Sequence, residues 1–221
     1  MTAANHDEMT LDELRLVLGE ALPADAAFDG WTARAVAASC ARTGIDPHVG
    51  ALAFSDAPVA MIDAWFASVD SKMVAACPAD DLATRKIRER ITHLVETRLA
   101  LIAPHREALR RAQAILAHPR NMAKALRLGW RAADVMWRQA GDTATDYNHY
   151  SKRAILGSVY AATMLVFVND ESPDYGDTKA FLARRIEGVM QFEKAKARLT
   201  TNSNMMFSPA RLLGRLRYPA R

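Results

Sequence analysis

The residues best suited to chemistry lie close together, in a polar turn between two apolar segments. The turn runs from Gly141 to Asn148 and contains Asp142, Thr143, Thr145 and Asp146. The aromatic side chains beside it are Trp137, Tyr147, His149 and Tyr150. Carboxylates among aromatic rings are more typical of a recognition surface than of a spacer between helices. Capping is the alternative, since Asp146 is a good N-cap for a helix starting near Tyr147, but capping does not explain the aromatic residues.

The chain lacks the common catalytic and metal-binding patterns. His93 follows Glu89 by four residues without a second such pair, and no Glu-x-x-His, His-Glu-x-x-His, Gly-x-Ser-x-Gly or P-loop motif occurs. Cys40 and Cys77 have no CxxC spacing, which predicts buried thiols rather than a disulfide or a zinc site. We therefore predict no catalytic residue, no metal and no cofactor, and we expect a protein that is not an enzyme.

Helices must position the polar turn. Half of the 221 residues are apolar, and Gly and Pro are sparse between long Ala-, Leu- and Arg-rich runs, which predicts an all-α fold. Capping and breaking residues give the expected bounds. We expect helices from 10 to about 22 (ended by Pro23), at 32–41, from 46, over 58–73 and 78–99, at 104–117, 121–140 and 147–168, and from 175 to about 199, followed by a linker at 200–204.

The first part of the chain is acidic where a DNA-binding protein would be basic. Residues 11–54 have the layout of a TetR-type helix-turn-helix, in which Pro47–Phe54 would be the recognition helix. No Lys or Arg occurs between Arg42 and Lys72, and Asp46, Asp56, Asp63 and Asp70 line this region. Since affinity for duplex DNA rests on Lys and Arg, we predict a degenerate module that binds no nucleic acid. A TetR-like ligand-responsive transcriptional repressor is the alternative function.

Three strings carry a resemblance to one family. They are DVMWRQAGDTATDYNHYSKRAIL at 134–156, NDESPDYGDT at 169–178 and FLARRI at 181–186. They are similar to the Coq-nine family, accessory proteins of ubiquinone biosynthesis with a TetR-like fold. The resemblance implies a non-catalytic, homodimeric, lipid-binding protein. Such a protein would hold a polyprenyl quinone precursor, or another isoprenoid or phospholipid, and present it to the quinone-ring hydroxylase.

The resemblance also implies which residues bind the hydroxylase. By position they are Asp134, Met136, Asp142, Asp146, His149 and Tyr150. His149 departs from the pattern, because family members often have Trp there, which weakens the aromatic anchor.

A separate group of apolar residues could line a lipid cavity between helices. Flexible Met side chains and aromatic rings suit long isoprenoid chains. The group is Met136, Trp137, Val159, Tyr160, Met164 and Phe167. Ordinary core packing is the alternative for each of them, because apolar stripes at helical spacing usually face a core.

The end of the chain is basic and partly apolar. An amphipathic helix there would lie at an anionic membrane surface, and a disordered tail is the alternative. The membrane-contacting residues would be Arg211, Leu212, Leu213, Arg215, Leu216 and Arg217. We accordingly divide the chain into a degenerate helix-turn-helix part (1–75), a lipid-binding bundle (76–199) and a tail (200–221).

The location expected from the sequence is a bacterial cytoplasm, peripheral to the inner membrane. Residues 1–8 are polar and acidic, unlike a signal or transit peptide. The uncharged run from Ala154 to Val168 is shorter than the about 20 residues that span a bilayer, so we expect a buried helix there.

Overall fold

Helices account for the regular structure of the described residues, which confirms the all-α prediction. The computed structural model describes residues 9–54, 57–143 and 147–206, with side chains as far as residue 191 except for 147 and 148. The α-helices within these ranges are α1 (Leu11–Asp29), α2 (Ala33–Thr43), α3 (Pro47–Phe54), α4 (Pro58–Ala76), α5 (Ala79–Ala83), α6 (Ile87–Ile102), α7 (Arg106–Leu116), α8 (Met122–Gln139), α9 (Tyr147–Phe167) and α10 (Gly176–Met206).

The first helix is longer than its proline suggests. Thr10 and Glu13 form the expected capping box, but α1 continues through Pro23 to Asp29 and ends at Gly30. Proline costs a helix one backbone hydrogen bond. Leu22 and Ala26, on either side of Pro23 in the chain, are both buried, so packing keeps α1 helical despite the missing hydrogen bond.

Two other expected boundaries are wrong. The long helix expected over 78–99 is divided into α5 and α6, and Arg90 holds the break by donating to the carbonyls of Ala83 (2.9 Å) and Arg85 (2.8 Å). The residues expected to form a linker, 200–204, are instead helical, since α10 extends to Met206.

Aromatic packing and close backbone contact join the front helices to the rest. Trp31 stacks on Trp65 of α4 with ring centroids 5.4 Å apart, and its indole N–H donates to the carbonyl of Ala108 on α7 (3.1 Å). Where α1 crosses α4, a Cβ added to Gly19 would lie 2.5 Å from the carbonyl oxygen of Ala64. Glycine at this position therefore sets the distance between the two helices.

A chain of ion pairs ties α4 to α6 and α8. The buried Arg98 donates to Asp70, and Arg131 donates both to Asp70 (3.1 Å) and to Asp63. Two of the four carboxylates that we expected to repel DNA are thus neutralised by arginines of α6 and α8.

Contacts divide the chain into two units, residues 1–182 and 183–221. The three-part division from the sequence stays a prediction. In the described residues no single helix has the length and apolarity to cross a membrane; α3 and α4 reach them only as a pair bent by 96°.

Candidate functional site

The polar turn begins where α8 ends at a left-handed glycine. Gly141 has φ of +90°, its N–H donates to the carbonyl of Arg138, and the N–H of Asp142 donates to the carbonyl of Trp137, each at 2.9 Å. This pair of bonds is a Schellman motif, in which glycine avoids the penalty of a Cβ at positive φ. The motif reverses the chain and brings Asp142 toward α9.

Arg153 of α9 is the centre of an ion-pair network beneath the turn. Its side chain is 2% exposed and donates to Asp134 (2.6 Å), to Asp142 (3.0 Å) and to the carbonyl of His149 (3.1 Å). Lys152 adds a second bond to Asp142 at 2.7 Å. The network joins the end of α8 to the start of α9.

The carboxylate of Asp142 is stabilised in its charged form. Burial alone would raise the pKa of Asp142, but hydrogen bonds from Lys152 and Arg153 outweigh burial and lower this pKa below its ordinary value. The Asp142 side chain is only 5% exposed. In this structure its charge is already satisfied from within the chain.

Trp137 is also engaged in the packing of α8 on α9. Its indole N–H donates to the carbonyl of Lys152 (3.0 Å), and the Lys152 ammonium lies 5.3 Å from the centre of the Trp137 ring. The ring therefore packs the two helices together above the ion-pair network.

An exposed group of rings lies beside the network, and we call Trp130, His149 and Tyr150 the aromatic surface. Ring centroids are 6.0 Å apart for Trp130 and Tyr150, 6.5 Å for Trp130 and His149, and 5.1 Å for His149 and Tyr150. Trp130 is 37% exposed and Tyr150 61% exposed. Sequence reasoning missed Trp130, although its position one helical turn before Asp134 was a signal that it faces the same turn.

Among the predicted docking residues, the structure brings Asp134, Asp142, His149 and Tyr150 together but gives them different environments. The two carboxylates lie in the ion-pair network, while Tyr150 reaches solvent. Asp146 lies outside the described residues, as do the six predicted membrane-contacting residues.

The six predicted lipid-binding residues are largely internal. Met136, Val159, Tyr160 and Phe167 are buried, and Trp137 and Met164 are half-buried. Within the part of the chain that is described, Tyr160 Oη and the neighbouring Arg98 Nε have no hydrogen-bond partner, and the Arg98 guanidinium lies 5.1 Å from the Tyr160 ring centre. Buried polar atoms without partners are uncommon in folded proteins.

The string at 169–178, the second of those that carry the family resemblance, forms the turn after α9. Asp170 accepts hydrogen bonds from the backbone N–H groups of Ser172 (2.9 Å) and Thr178 (2.8 Å) and from both hydroxyls. Burial would raise the pKa of Asp170, but these four bonds outweigh it and hold the pKa far below its ordinary value. Arg106 and Arg110 of α7 donate to the carbonyl of Val168 just before this turn, at 3.1 and 3.0 Å.

Residues 122–193, which include α8, α9 and both turns, match the family model described as COQ9. The relatives include the mitochondrial ubiquinone biosynthesis protein COQ9 of Rattus norvegicus, 35% identical over 73% of this chain and 54% of the relative, and that of Homo sapiens, 34% identical over 73% and 52%. The chain is a COQ9 relative. It spans about half the length of these two COQ9 proteins.

The COQ9 match of Xenopus tropicalis is shorter but closer, 41% identical over 43% of this chain and 30% of the relative. Among solved structures, a TetR transcriptional regulator from Nitrosomonas europaea matches with a TM-score of 0.60 and 22% identity, over 79% of this chain and 97% of that chain. This likeness confirms the TetR-like fold.

The COQ9 relatives correct one expectation. They are named as mitochondrial proteins, which contradicts the expected location in a bacterial cytoplasm, peripheral to the inner membrane. The expectation had no residue motif behind it. It rested on the polar, acidic character of residues 1–8, which does not identify a cellular compartment.

Proposed function

We propose that this COQ9 relative is a non-catalytic accessory protein of ubiquinone biosynthesis. It binds a polyprenyl quinone intermediate and presents it to the hydroxylase that acts on the quinone ring. The pathway is supported by the names of the COQ9 relatives. The lipid and the partner are supported by the chemistry of α8 and α9, which lie within the COQ9 match.

The aromatic surface carries the docking part of this proposal. Exposed aromatic rings close together are the residues that most often anchor protein–protein interfaces. Tyr150 supplies the exposed anchor, with Trp130 and His149 packed beside it. Asp134 and Asp142 act through Arg153, which lies one turn after His149 and Tyr150 on α9, so we assign these carboxylates a positioning role.

The buried pair of Arg98 and Tyr160 supports the lipid part. Both have a donor without a partner in the described structure, and a quinone-ring oxygen can accept from both. Met136 of α8 and Val159, Met164 and Phe167 of α9 supply apolar contacts for the isoprenoid chain. The prenyl chain would bind by separating side chains that are packed in this structure.

The repressor alternative has less support. In α3 the exposed residues include His48 and Leu52, and its described neighbours Arg15 and Arg42 are paired with Asp12 and Asp25. A groove-binding helix needs free cations to neutralise phosphates. Retention on duplex DNA that weakens steeply with added salt would favour the repressor and count against our proposal.

Tyr150→Ala tests the docking surface, and Leu165→Ala is its matched control. Both residues lie on α9 and are about equally exposed, at 61% and 60%. We expect Tyr150→Ala to weaken association with the hydroxylase about thirtyfold or more, as hot-spot truncations do, with little change for Leu165→Ala. Equal affinities for the two variants, measured by co-purification and titration calorimetry, would place the docking surface elsewhere.

The homodimer and the membrane contact of the tail remain predictions from the sequence. So does the role of Asp146 in docking.

A further inference from the structure

A cavity of about 450 Å³ lies at the other end of α8, away from the polar turn. It opens to solvent and is lined by the start of α4, the end of α7 and the start of α8. Its apolar wall is formed by Ala57, Pro58, Val59, Ala114 and Ile115, and its polar side by His118, Arg120, Asn121 and Lys124. The volume is within the range of about 300–1,000 Å³ that is usual for small-molecule sites.

The polar side of this cavity is cationic. None of the described lining residues is acidic, and the sequence contains no Asp or Glu from Ala108 to Ala133. Over the described ranges, neither Arg120 nor Lys124 forms an ion pair, unlike Arg110, Arg111 and Arg131 nearby in sequence. Two cations that have no carboxylate partner among the described residues, at the edge of an apolar wall, favour a ligand with an anionic head.

Internal hydrogen bonds hold the polar side in place. The Asn121 side chain donates to the carbonyl of Ile115 (2.8 Å), which ties the start of α8 to the end of α7. His118 Nδ1 accepts from the backbone N–H of Arg120 (3.4 Å), which ties the His118 ring to the segment before α8. The N-terminus of α8, an 18-residue helix, adds positive potential at the same place.

We propose that this cavity is a second ligand site, which binds a single-chain amphiphile with a phosphate or carboxylate head. The head lies against Arg120 and Lys124, and the first part of the tail lies against Val59, Ala114 and Ile115. The site shares no residue with the predicted lipid-binding group or with the aromatic surface, so the inference does not depend on the proposed function.

Titration calorimetry of the full chain with monomeric decyl phosphate tests the site. Decanoate distinguishes a carboxylate head from a phosphate head, inorganic phosphate lacks the tail, and decyltrimethylammonium carries the opposite charge. We expect decyl phosphate or decanoate to bind at least about tenfold more tightly than inorganic phosphate and decyltrimethylammonium. Equal binding of decyltrimethylammonium would mean adsorption of the tail without head recognition and would overturn the proposal.

Two variants place the binding in this cavity. Lys124→Gln removes a lining charge, and Arg127→Gln removes an exposed charge on the same helix that does not line the cavity. We expect the Kd of decyl phosphate to rise about tenfold for Lys124→Gln and to stay unchanged for Arg127→Gln.

Ala114→Trp fills the cavity from an exposed position, so it does not require repacking of the core. We expect it to abolish binding while the thermal midpoint is retained. If Ala114→Trp and Lys124→Gln both bind as the unchanged protein does, the amphiphile binds elsewhere and the inference is wrong. Tyr150→Ala and Tyr160→Phe should leave decyl phosphate binding unchanged, which separates this result from that for the proposed function.

Discussion

Arg153 on α9 and Asp134 on α8 form a buried ion pair, with Nε of the guanidinium 2.6 Å from the carboxylate. The same Asp134 accepts from Arg138, whose side chain is 71% exposed. Two arginines thus contact one carboxylate, one from inside the protein and one from solvent. Replacing each arginine in turn therefore compares the stability contribution of a buried ion pair with that of an exposed one.

We predict that Arg153→Met destabilises the fold by about 3–5 kcal/mol, because it leaves Asp134 and Asp142 without their buried partner. Arg138→Met is the control and should cost less than about 1 kcal/mol, since exposed ion pairs contribute little. Urea unfolding followed by circular dichroism measures both. Equal losses would mean that the network does not depend on burial.

The turn at Asp170 predicts a pH dependence of stability. Its pKa is held far below the unfolded value of about 3.9, so the charged carboxylate stabilises the fold above that value and the stabilisation is lost as the pH falls below it. We expect the stability difference between the unchanged protein and Asp170→Asn to be constant near neutral pH and to shrink below about pH 4. Asp177→Asn is the matched control, because Asp177 is an exposed carboxylate in the first turn of α10 that accepts none of the four hydrogen bonds made to Asp170. A difference that grows on acidification would contradict the assignment.

The crossing of α1 and α4 predicts an asymmetry between two glycines. Gly19→Ala places a Cβ against the backbone of Ala64 and should destabilise the protein by about 1–3 kcal/mol, because backbone cannot move aside cheaply. Gly129→Ala in α8 meets no atom within 4 Å and should stabilise by about 0.5–1 kcal/mol through helix propensity. Thermal unfolding midpoints of the two variants check the signs.

Tyr160→Phe separates ligand recognition from stability. In the described structure the Tyr160 hydroxyl has no partner, so its removal should leave stability unchanged or raise it slightly. If the hydroxyl donates to a quinone ring, the same variant should retain less quinone lipid after purification, as measured by native mass spectrometry. Equal lipid retention would remove Tyr160 from the proposed site.

The helical architecture was predictable because local signals decide it. The capping box at Thr10 and Glu13 and the left-handed Gly141 mark the start of α1 and the end of α8, and the structure has both. The helix end expected at Pro23 was wrong because a proline removes only one backbone hydrogen bond from a helix. The burial of Leu22 and Ala26, which keeps α1 helical beyond Pro23, depends on neighbouring helices and cannot be read from the local sequence. The break between α5 and α6 depends likewise on Arg90, which also reaches the distant carbonyl of Ala140.

The sequence predicted where the candidate site lies, but not which of its residues are buried and which are exposed. Residue types placed the carboxylates and rings at one turn. They could not distinguish Asp142, which is enclosed by Lys152 and Arg153, from an exposed acidic residue, because burial depends on how α8 and α9 meet. The spacing of Trp130 from Asp134 could have placed it on the same face of α8, but its contact with Tyr150 crosses between helices and needed the structure.

The two ends of α9 are each fastened by arginines, and this limits how the helix can move. At its start, Arg153 binds the carboxylates of α8; at its end, Arg106 and Arg110 of α7 hold the carbonyl of Val168. Sliding α9 along its own axis would break both sets of bonds at once. Displacing α9 along its axis would therefore strain the Asp170 turn at one end of the helix as well as the ion-pair network at the other.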